Sequence, residues 1–471
     1  IPRCRRMKPF QPSCALLAIA LAAAFTSQAK NKTPEAAHVK QATDLLGKIV
    51  AFRTVQGQGQ SQVPAMAEYL AQQLLQGGFA PEDVKVSEVE GTATLIARYR
   101  GTGGKRPMLV SNHMDVVEAI PSDWTRDPFT MVTENGYHYG RGVYDNKLDV
   151  ALTVSTLLQL KKEGFKPSRD IILAFSGDEE TNMLSTQALS KQFPDAEFLL
   201  NGDGGGGTLA SDRKAVVYGL QTSEKTYASF DISVSNPGGH SSRPRKDNAI
   251  YELADALRKL SAYEFPVQST EQTRASFGFT GKQLGGDLGK AMLRFADNPD
   301  DQSAVSVIAA DPEYVGTLRT TCVATLLKGG HADNALPQLA SATVNCRIFP
   351  GVSVESVRAK IAEVIDNPKA TVKGIGTPYA SDASPMRGDV MQAVRKAVDA
   401  NFAGLPIVPS MSSGATDSLY FRAAGIPSYG VSGAYVQPVD DFAHGLNERV
   451  PVSAVARGLA HWHVLLTELA K

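Results

Sequence analysis

Three consecutive acidic residues follow directly on an apolar run in the segment DIILAFSGDEET (170–181). The apolar run is typical of a buried strand, and Asp178, Glu179 and Glu180 come at its carboxyl end. Three like charges at that position repel one another and lose hydration, so the arrangement is unfavourable unless a positive group lies between them. The segment therefore predicts a buried strand that ends beside a cation.

Two other strand-like runs end in the same kinds of side chain. PMLVSN is followed by His113 and Asp115, EFLLNG is followed by Asp203, and Asp145 comes just before a helical pattern in YGRGVYDNK. In open α/β sheets, ligands bind outside the carboxyl ends of the strands. Imidazole and carboxylate groups suit Zn²⁺ or Mn²⁺. Each residue alone is more often a turn or capping residue, but together they predict a divalent metal site.

The order of strand and helix patterns predicts the architecture. Strand-like runs alternate with amphipathic helices in residues 30–221 and again in 380–471, which is typical of a mainly parallel sheet covered on both faces. Residues 222–379 instead show strands of alternating polarity and two amphipathic helices, so we expect a smaller α+β lid domain inserted into the α/β domain. Within the lid, the polar stretch 262–320 is expected to form only short helical patches.

The first 29 residues predict a signal peptide. Basic residues precede the apolar run 14–25, and a small-residue cleavage pattern ends at Ala29. A transmembrane anchor is the alternative interpretation, but the run is shorter than the ~20 residues that a membrane span needs. We therefore expect cleavage near Ala29, export to the periplasm or the medium, and a mature chain without a stable membrane anchor.

The charge balance excludes one class of function. The chain has 48 basic and 48 acidic residues, so its formal net charge is zero. A binder of nucleic acid is expected to carry a strong excess of positive charge, so we expect no nucleic-acid partner.

Two cysteines lie beyond the predicted leader. Cys322 and Cys346 fall on strand-like runs that could pair antiparallel around the intervening turn. A disulfide is permitted in an exported protein, but two buried thiols fit the sequence equally well. The sequence leaves this question open.

Six motifs occur in an order that is typical of one enzyme family: SNHMDVV, YGRGVYDNK, GDEET, NGDGG, NPGGHSSRP and FAHGLNE. In these motifs the chain resembles the co-catalytic zinc peptidases and deacylases, over essentially its whole length after the leader. That family includes glutamate carboxypeptidase, aminoacylase, acetylornithine deacetylase and succinyl-diaminopimelate desuccinylase. The pattern HMDVV…DW…DPF…YGRGVYDNK is most similar to the branch of carboxypeptidase S and N-acyl-amino-acid hydrolases.

The resemblance implies a ligand set for two Zn²⁺ per subunit, and the same set accepts Mn²⁺ or Co²⁺. Asp145 would bridge the two ions, and the peptide bond after it is expected to be cis. His113 and Asp203 would complete one site, and Glu180 and His444 would complete the other.

The resemblance also implies catalytic roles for three further residues. Asp115 would orient the His113 ring. Glu179 would be the general base that takes a proton from the attacking water and passes it to the leaving nitrogen. His240, in the lid, would stabilise the developing oxyanion.

For a substrate with a free carboxylate, the matching positions are Asn334 and Arg347 in the lid and Gly414 and Thr416 in the second part of the α/β domain. Arginine suits a carboxylate because its planar group donates two parallel hydrogen bonds; without the resemblance, Arg347 would be an ordinary surface arginine. The remaining histidines are expected to be structural or superficial: His38, His138, His331, His461 and His463.

These observations favour an exported dinuclear zinc exopeptidase that hydrolyses dipeptides or short peptides with a free carboxylate. An N-acyl-amino-acid deacylase uses the same machinery and is the alternative. A non-catalytic peptide- or metal-binding protein is a remote third reading, against which the spare acid Glu179 argues. Many relatives dimerise through the lid, and the extra stretch 262–320 leaves open both the oligomeric state and whether His240 acts in its own subunit.

Overall fold

The computed structural model describes residues 34–56, 61–440 and 442–471. The predicted signal peptide, 1–29, lies outside these ranges. In the described part of the chain, no helix is both long enough and apolar enough to cross a membrane.

The α-helices in these ranges are α1 (Ala36–Val50), α2 (Val63–Gln76), α3 (Lys147–Lys162), α4 (Leu184–Ser190), α5 (Ala249–Ala262), α6 (Glu271–Leu284), α7 (Gly286–Asp297), α8 (Gln302–Ala309), α9 (Val315–Leu318), α10 (Val354–Ile365), α11 (Gly388–Asp399), α12 (Ser418–Ala423) and α13 (Ser453–Leu469).

The strands are β1 (Val84–Val89), β2 (Thr92–Tyr99), β3 (Met108–His113), β4 (Val132–Glu134), β5 (Tyr137–Tyr139), β6 (Ile171–Ser176), β7 (Phe198–Asn201), β8 (Gly206–Leu209), β9 (Ala215–Glu224), β10 (Thr226–Ser235), β11 (Gly239–His240), β12 (Thr321–Gly329), β13 (Ala335–Leu336), β14 (Leu339–Ile348), β15 (Ala370–Ile375), β16 (Ile407–Ser412), β17 (Ser428–Gly430), β18 (Tyr435–Val436) and β19 (Arg449–Pro451).

The largest sheet has ten strands in the order β1-β2-β6-β3-β7-β17-β9-β8-β18, and β16 pairs with β9. Its centre, β6-β3-β7-β17, is parallel, while β1 and β2 add antiparallel strands at one edge. Met108 and Val110 of β3 pack into the main hydrophobic core, whereas Leu109 packs into a second cluster on the other face. Burial on both faces explains why these strands read as continuous apolar runs, and the predicted mixed α/β fold is confirmed.

A second, fully antiparallel sheet has the order β12-β14-β10-β15. Helices α5 and α10 cover it and share a separate core that includes Leu253 and Ile361. The chain leaves the large sheet at the end of β9, Glu224, and enters the second sheet at Thr226. The exact domain boundaries at 222 and 380 stay a prediction.

The stretch 262–320 differs from its prediction. It holds helices α6 to α9, of which α6 has 14 residues and α7 has 12. Phe277, Met292, Phe295 and Ile308 form a core of their own between these helices. The expectation of short helical patches was wrong because the few apolar residues lie at helical spacing and are buried together, although the stretch is polar on average.

The open question about the cysteines is resolved by the register of two strands. Cys322 of β12 lies directly opposite Cys346 of β14, and the two residues form a disulfide bond. Their Cα atoms are 4.1 Å apart. The bond ties the edge strand of the second sheet to its neighbour.

Candidate metal centre

Three neighbouring parallel strands deliver the predicted ligands to one edge of the large sheet. In the register of β3 and β6, His113 lies opposite Ser176, two residues before Asp178. β7 pairs with the other side of β3 and ends two residues before Asp203. Because parallel strands have their carboxyl ends at the same edge, side chains that are far apart in sequence meet there.

Asp145 lies at the middle of this cluster, in the loop before α3. Its Oδ1 is 3.0 Å from Nε2 of His113, and its Oδ2 is 3.2 Å from Nε2 of His444. The two carboxylate oxygens thus point to two different imidazoles. The peptide bond from Asp145 to Asn146 is cis, as expected.

The other two carboxylates each lie beside one of these two imidazoles. Oε2 of Glu180 is 2.9 Å from Nε2 of His444, and Oδ2 of Asp203 is 3.9 Å from Nε2 of His113. The structure therefore brings together all five side chains that were predicted as ligands, in two groups that share Asp145.

Electrostatics show why this cluster suits cations. Burial raises the pKa of Asp203 well above its usual value, and the nearby carboxylates of Asp145 and Glu180 add to the rise. Hydrogen bonds to Asp145 and Glu180 raise the pKa of His444 to about 10. Burial opposes protonation of His113, but hydrogen bonds with Asp115 and Asp145 raise its pKa well above the usual value. The carboxylates thus favour positive charge at this position, and the donor set of imidazoles and carboxylates fits divalent metal ions.

Glu179 lies close to this cluster, on the side of His113 and Asp203. Ligand atoms of His113, Glu179 and Asp203 lie within 4.8 Å of one another. Burial raises the pKa of Glu179 well above its usual value, and the neighbouring carboxylates of Asp203 and Asp417 raise it further. Its role as the general base stays a prediction.

Asp115 contacts the cluster through both its carboxylate and its backbone oxygen. Its carboxylate accepts the backbone N–H of Glu179 at 3.1 Å and that of Glu180 at 3.0 Å. Nδ1 of His113 lies 3.1 Å from the backbone oxygen of Asp115 and 3.5 Å from its Oδ1. The backbone oxygen is the nearer partner of the ring, and the role of the carboxylate in orienting the ring stays a prediction.

Asp178, the first acid of SGDEET, has a structural role that the sequence did not reveal. Its carboxylate accepts the backbone N–H of Leu184 at 2.7 Å and that of Ser185 at 3.0 Å, and it also accepts the Ser185 hydroxyl. These are groups of the first turn of α4, so Asp178 caps that helix from six residues upstream. The turn between them hid the relationship in the sequence.

Asp417 is a second acid that sequence reasoning missed, although it directly follows Thr416, a predicted substrate-binding residue. It is 1% exposed and accepts hydroxyls from Ser111 at 3.1 Å, Ser176 at 2.6 Å and Thr186 at 2.5 Å. Asp417 thus ties the loop of Thr416 to the strands that carry the cluster.

The predicted substrate-binding residues form two local groups. Nη1 of Arg347 donates to the backbone oxygen of Ser413 at 3.1 Å, beside Gly414, and its guanidinium lies 4.8 Å from the ring centre of Tyr227. The hydroxyl of Thr416 accepts from Asn201 at 3.1 Å.

The second group lies in the lid. β11, which contains His240, pairs with β13, and Ser241 donates its backbone N–H to the oxygen of Asn334 at 2.9 Å. His240 and Asn334 are exposed. Binding roles for these residues stay predictions.

The remaining histidines have environments typical of structural or surface residues. Nε2 of His38 lies 3.2 Å from the backbone oxygen of Ser155, and His463 lies 2.9 Å from Glu163. His138 and His461 are buried, and His331 is exposed. In the described ranges, none of the five belongs to a group that could hold a metal ion.

The chain is similar in sequence to known proteins. The model of peptidase family M20/M25/M40 matches residues 109–468. The N-fatty-acyl-amino acid synthase/hydrolase PM20D1 of Homo sapiens is 28% identical over 361 residues, which cover 74% of this chain and 71% of that protein. Probable carboxypeptidase S-like 2 of Dictyostelium discoideum is 28% identical over 346 residues, or 70% of this chain and 65% of that protein.

Among solved structures, the metallo-carboxypeptidase Sso-CP2 of Sulfolobus solfataricus superimposes with a TM-score of 0.68 at 16% identity. The superposition covers 91% of this chain and 99% of that one. At this identity the likeness shows a shared fold.

Proposed function

The chain belongs to peptidase family M20/M25/M40, and on that premise we propose that it is an exported exopeptidase that uses two Zn²⁺ to hydrolyse dipeptides or short peptides. The coarser statement, a metal-dependent hydrolase of amide bonds, follows from family membership. The finer proposal is supported above all by Asp145, whose two oxygens face His113 and His444 at 3.0 and 3.2 Å. A carboxylate shared in this way can hold two ions side by side.

The five proposed ligands would bind the two ions in two sets. Asp145 would be common to both ions, with His113 and Asp203 on one side and Glu180 and His444 on the other. When bound, two divalent ions polarise an amide carbonyl and lower the pKa of water. Mn²⁺ or Co²⁺ would suit the same donors.

Glu179 is the group proposed to move the proton. Its backbone is fixed by Asp115, and its side chain faces the cluster beside Asp203. It would accept a proton from the attacking water and pass it to the leaving nitrogen. His240 would donate to the developing oxyanion, and Arg347 would bind the free carboxylate of the substrate.

A second candidate, an N-acyl-amino-acid deacylase, is favoured by the relatives. PM20D1 is named as an N-fatty-acyl-amino acid synthase/hydrolase, and an acylated amino acid shares the amide bond and the free carboxylate with a dipeptide. The exopeptidase is preferred because an exported enzyme is better placed to degrade external peptides. Export itself rests on the predicted signal peptide.

The experiment that tests the proposal is product analysis by mass spectrometry on a panel of dipeptides, tripeptides and N-acyl amino acids. One sample would be loaded with Zn²⁺ and one treated with a chelator. Chelator-sensitive release of amino acids from peptides supports the exopeptidase. Cleavage of acylated amino acids alone supports the deacylase, and no cleavage in a metal-loaded sample contradicts both and favours a binding protein.

A homodimer through the lid is proposed on the exposed edge of the second sheet. Val323, Leu326 and Leu327 of β12 are 60%, 61% and 70% exposed, and β12 has a free edge in the described sheet. Apolar side chains on a free edge strand favour pairing with a second strand. Analytical ultracentrifugation of the wild type and of Leu327→Lys tests this: a dimer that becomes a monomer in the variant is expected, and an unchanged state contradicts it.

A further inference from the structure

The carboxylate of Glu448 accepts hydrogen bonds from backbone N–H groups of the loop that contains Asp145. The side chain of Glu448 is completely buried. Oε1 accepts the N–H of Tyr144 at 2.8 Å and that of Asp145 at 3.0 Å, and both carboxylate oxygens lie 3.1 Å from the nitrogen of Gly142. One carboxylate therefore fixes the backbone of the residue that the two groups of ligands share.

The same carboxylate is paired with a buried arginine that reaches the loop of His444. Nη1 of Arg141 lies 2.6 Å from Oε2 of Glu448, and Nη2 donates to the backbone oxygen of Gly445 at 3.2 Å. Gly445 directly follows His444, and Glu448 lies four residues after His444. Arg141 and Glu448 thus join the Asp145 loop to the His444 loop from both sides.

Two short strands continue this connection. β5, which ends just before the Asp145 loop, pairs antiparallel with β19, which begins just after Glu448. The backbone N–H of Gly140 also donates to the backbone oxygen of Glu448 at 3.1 Å. The two loops are therefore joined by strand pairing at one end and by the Glu448 carboxylate at the other.

The chemistry of this position requires a carboxylate. All of its partners are donors: three backbone N–H groups and a guanidinium. An ionised carboxylate only accepts hydrogen bonds, whereas a glutamine of the same shape would turn an NH₂ group toward these donors. Loss of the charge would also leave Arg141 buried without its partner.

We propose that Glu448 is a positioning residue that holds Asp145 and His444 at the separation needed to bind two metal ions. The inference rests on the proposed metal-dependent function. The inference goes beyond that function, because Glu448 is not one of the five proposed ligands. It acts through the backbone of Asp145 and through the loop of His444.

A second buried ion pair offers a matched control. Nη1 of Arg422 lies 2.7 Å from Oε1 of Glu224, and the side-chain exposures, 2% and 0%, equal those of Arg141 and Glu448. Glu224 ends β9, and in the described part of the chain it makes none of the contacts that Glu448 makes with the backbone of Gly142, Tyr144 and Asp145. Glu224→Gln should therefore cost stability in the same way without weakening metal binding.

The test is Zn²⁺ binding by the full chain, measured in competition with a chelator of known affinity, beside thermal unfolding of the metal-free protein. Glu448→Gln is expected to weaken Zn²⁺ binding about 10–100-fold, the range seen when a group that supports a ligand is lost. Glu224→Gln is expected to lower Tm but to bind Zn²⁺ as the wild type does. If both variants lower Tm and both keep wild-type affinity, the inference is overturned.

Glu448→Asp keeps the test informative if Glu448→Gln fails to fold. Aspartate retains the charge for Arg141 but is shorter by one methylene, so it cannot reach all the backbone N–H groups. A loss of Zn²⁺ affinity is expected, and wild-type affinity in this variant would overturn the inference. If the wild type itself binds no Zn²⁺, the proposed function is wrong. If the wild type binds two ions and the variant binds them equally well, the proposed function is unaffected and only the inference about Glu448 is wrong.

Discussion

Nε2 of His444 lies 2.9 Å from Oε2 of Glu180, although 264 positions separate the two residues in sequence. The contact joins the loop after β6 to the loop before β19. His444 is the most exposed member of the cluster, since 55% of its side chain is accessible. Its removal should therefore change metal binding more than folding.

We expect His444→Ala to weaken one of the two proposed metal sites by more than the ~10–100-fold that loss of a supporting group costs, because a proposed ligand itself is removed. Isothermal titration with Zn²⁺ would show one tight ion per chain instead of two. His463→Ala is the control, because His463 is also partly exposed and paired with a glutamate, Glu163, at 2.9 Å. Two tight ions in His444→Ala would contradict the assignment.

Adjacent acids in SGDEET should give different defects. Glu179→Gln is expected to lower kcat about 10²–10⁴-fold, the usual contribution of a general base, while the metal content stays at the wild-type value. Glu180→Gln should lose metal instead, because Glu180 faces His444. Turnover and metal content measured on the same preparations separate the two roles. A Glu179→Gln enzyme with wild-type kcat would show that another group takes the proton.

There is a physical reason why the sequence indicated that these side chains would lie together. β3, β6 and β7 are buried on both faces, so each reads as a continuous apolar run, and the polar residues after each run mark the same edge of the sheet. The prediction that His444 belongs to this cluster came only from the resemblance of FAHGLNE to a family motif. No local pattern connects that loop to β6.

The features that escaped prediction depend on backbone partners or on tertiary packing. Asp178 and Glu448 are bound mainly to N–H groups of other segments, and such partners leave no pattern in side-chain sequence. The helices of residues 262–320 pack a small core of their own, so average polarity was a poor guide there. The disulfide needed the exact register of β12 and β14, which includes an irregularity between Ala324 and Leu326.

A buried histidine far from the cluster predicts how stability depends on pH. Nε2 of His461 lies 3.1 Å from the backbone oxygen of Val431, while Nδ1 is buried and has no hydrogen-bond partner in the described part of the chain. Burial lowers the pKa of His461 to about 4, below the ordinary value of about 6.5. Between these two values the unfolded state binds the proton and the folded state does not, so stability falls as pH falls.

For this group the free energy of unfolding should drop by about 2 kcal/mol between pH 7 and pH 5. His461→Gln keeps a donor for Val431 but cannot titrate in this range. Between pH 7 and pH 5, the free energy of unfolding in urea should therefore fall by about 2 kcal/mol less in this variant than in the wild type. His463→Gln, two residues along the same helix, is the control for replacing a partly exposed histidine. Equal slopes in the wild type and His461→Gln would contradict this prediction.

Arg347 provides a test of substrate recognition. Its guanidinium is held between the ring of Tyr227 and the backbone oxygen of Ser413, next to Gly414. Only one of its donors is used in that contact, which leaves others for a carboxylate. Arg347→Lys keeps the positive charge but loses the planar pair of donors, so we expect KM for dipeptides to rise about 10–100-fold, equivalent to about 1.5–3 kcal/mol, with a smaller change in kcat.

Dipeptides with an amidated C-terminus separate recognition from a general loss of structure. The wild type should discriminate strongly against them, because they lack the carboxylate that Arg347 is proposed to bind. Arg347→Lys should discriminate much less, since its weaker contact gains less from that carboxylate. Arg358→Lys is the control, because Arg358 lies on α10 and pairs with Glu355 at 2.6 Å. If Arg347→Lys keeps the full preference for a free carboxylate, another residue recognises that end of the substrate.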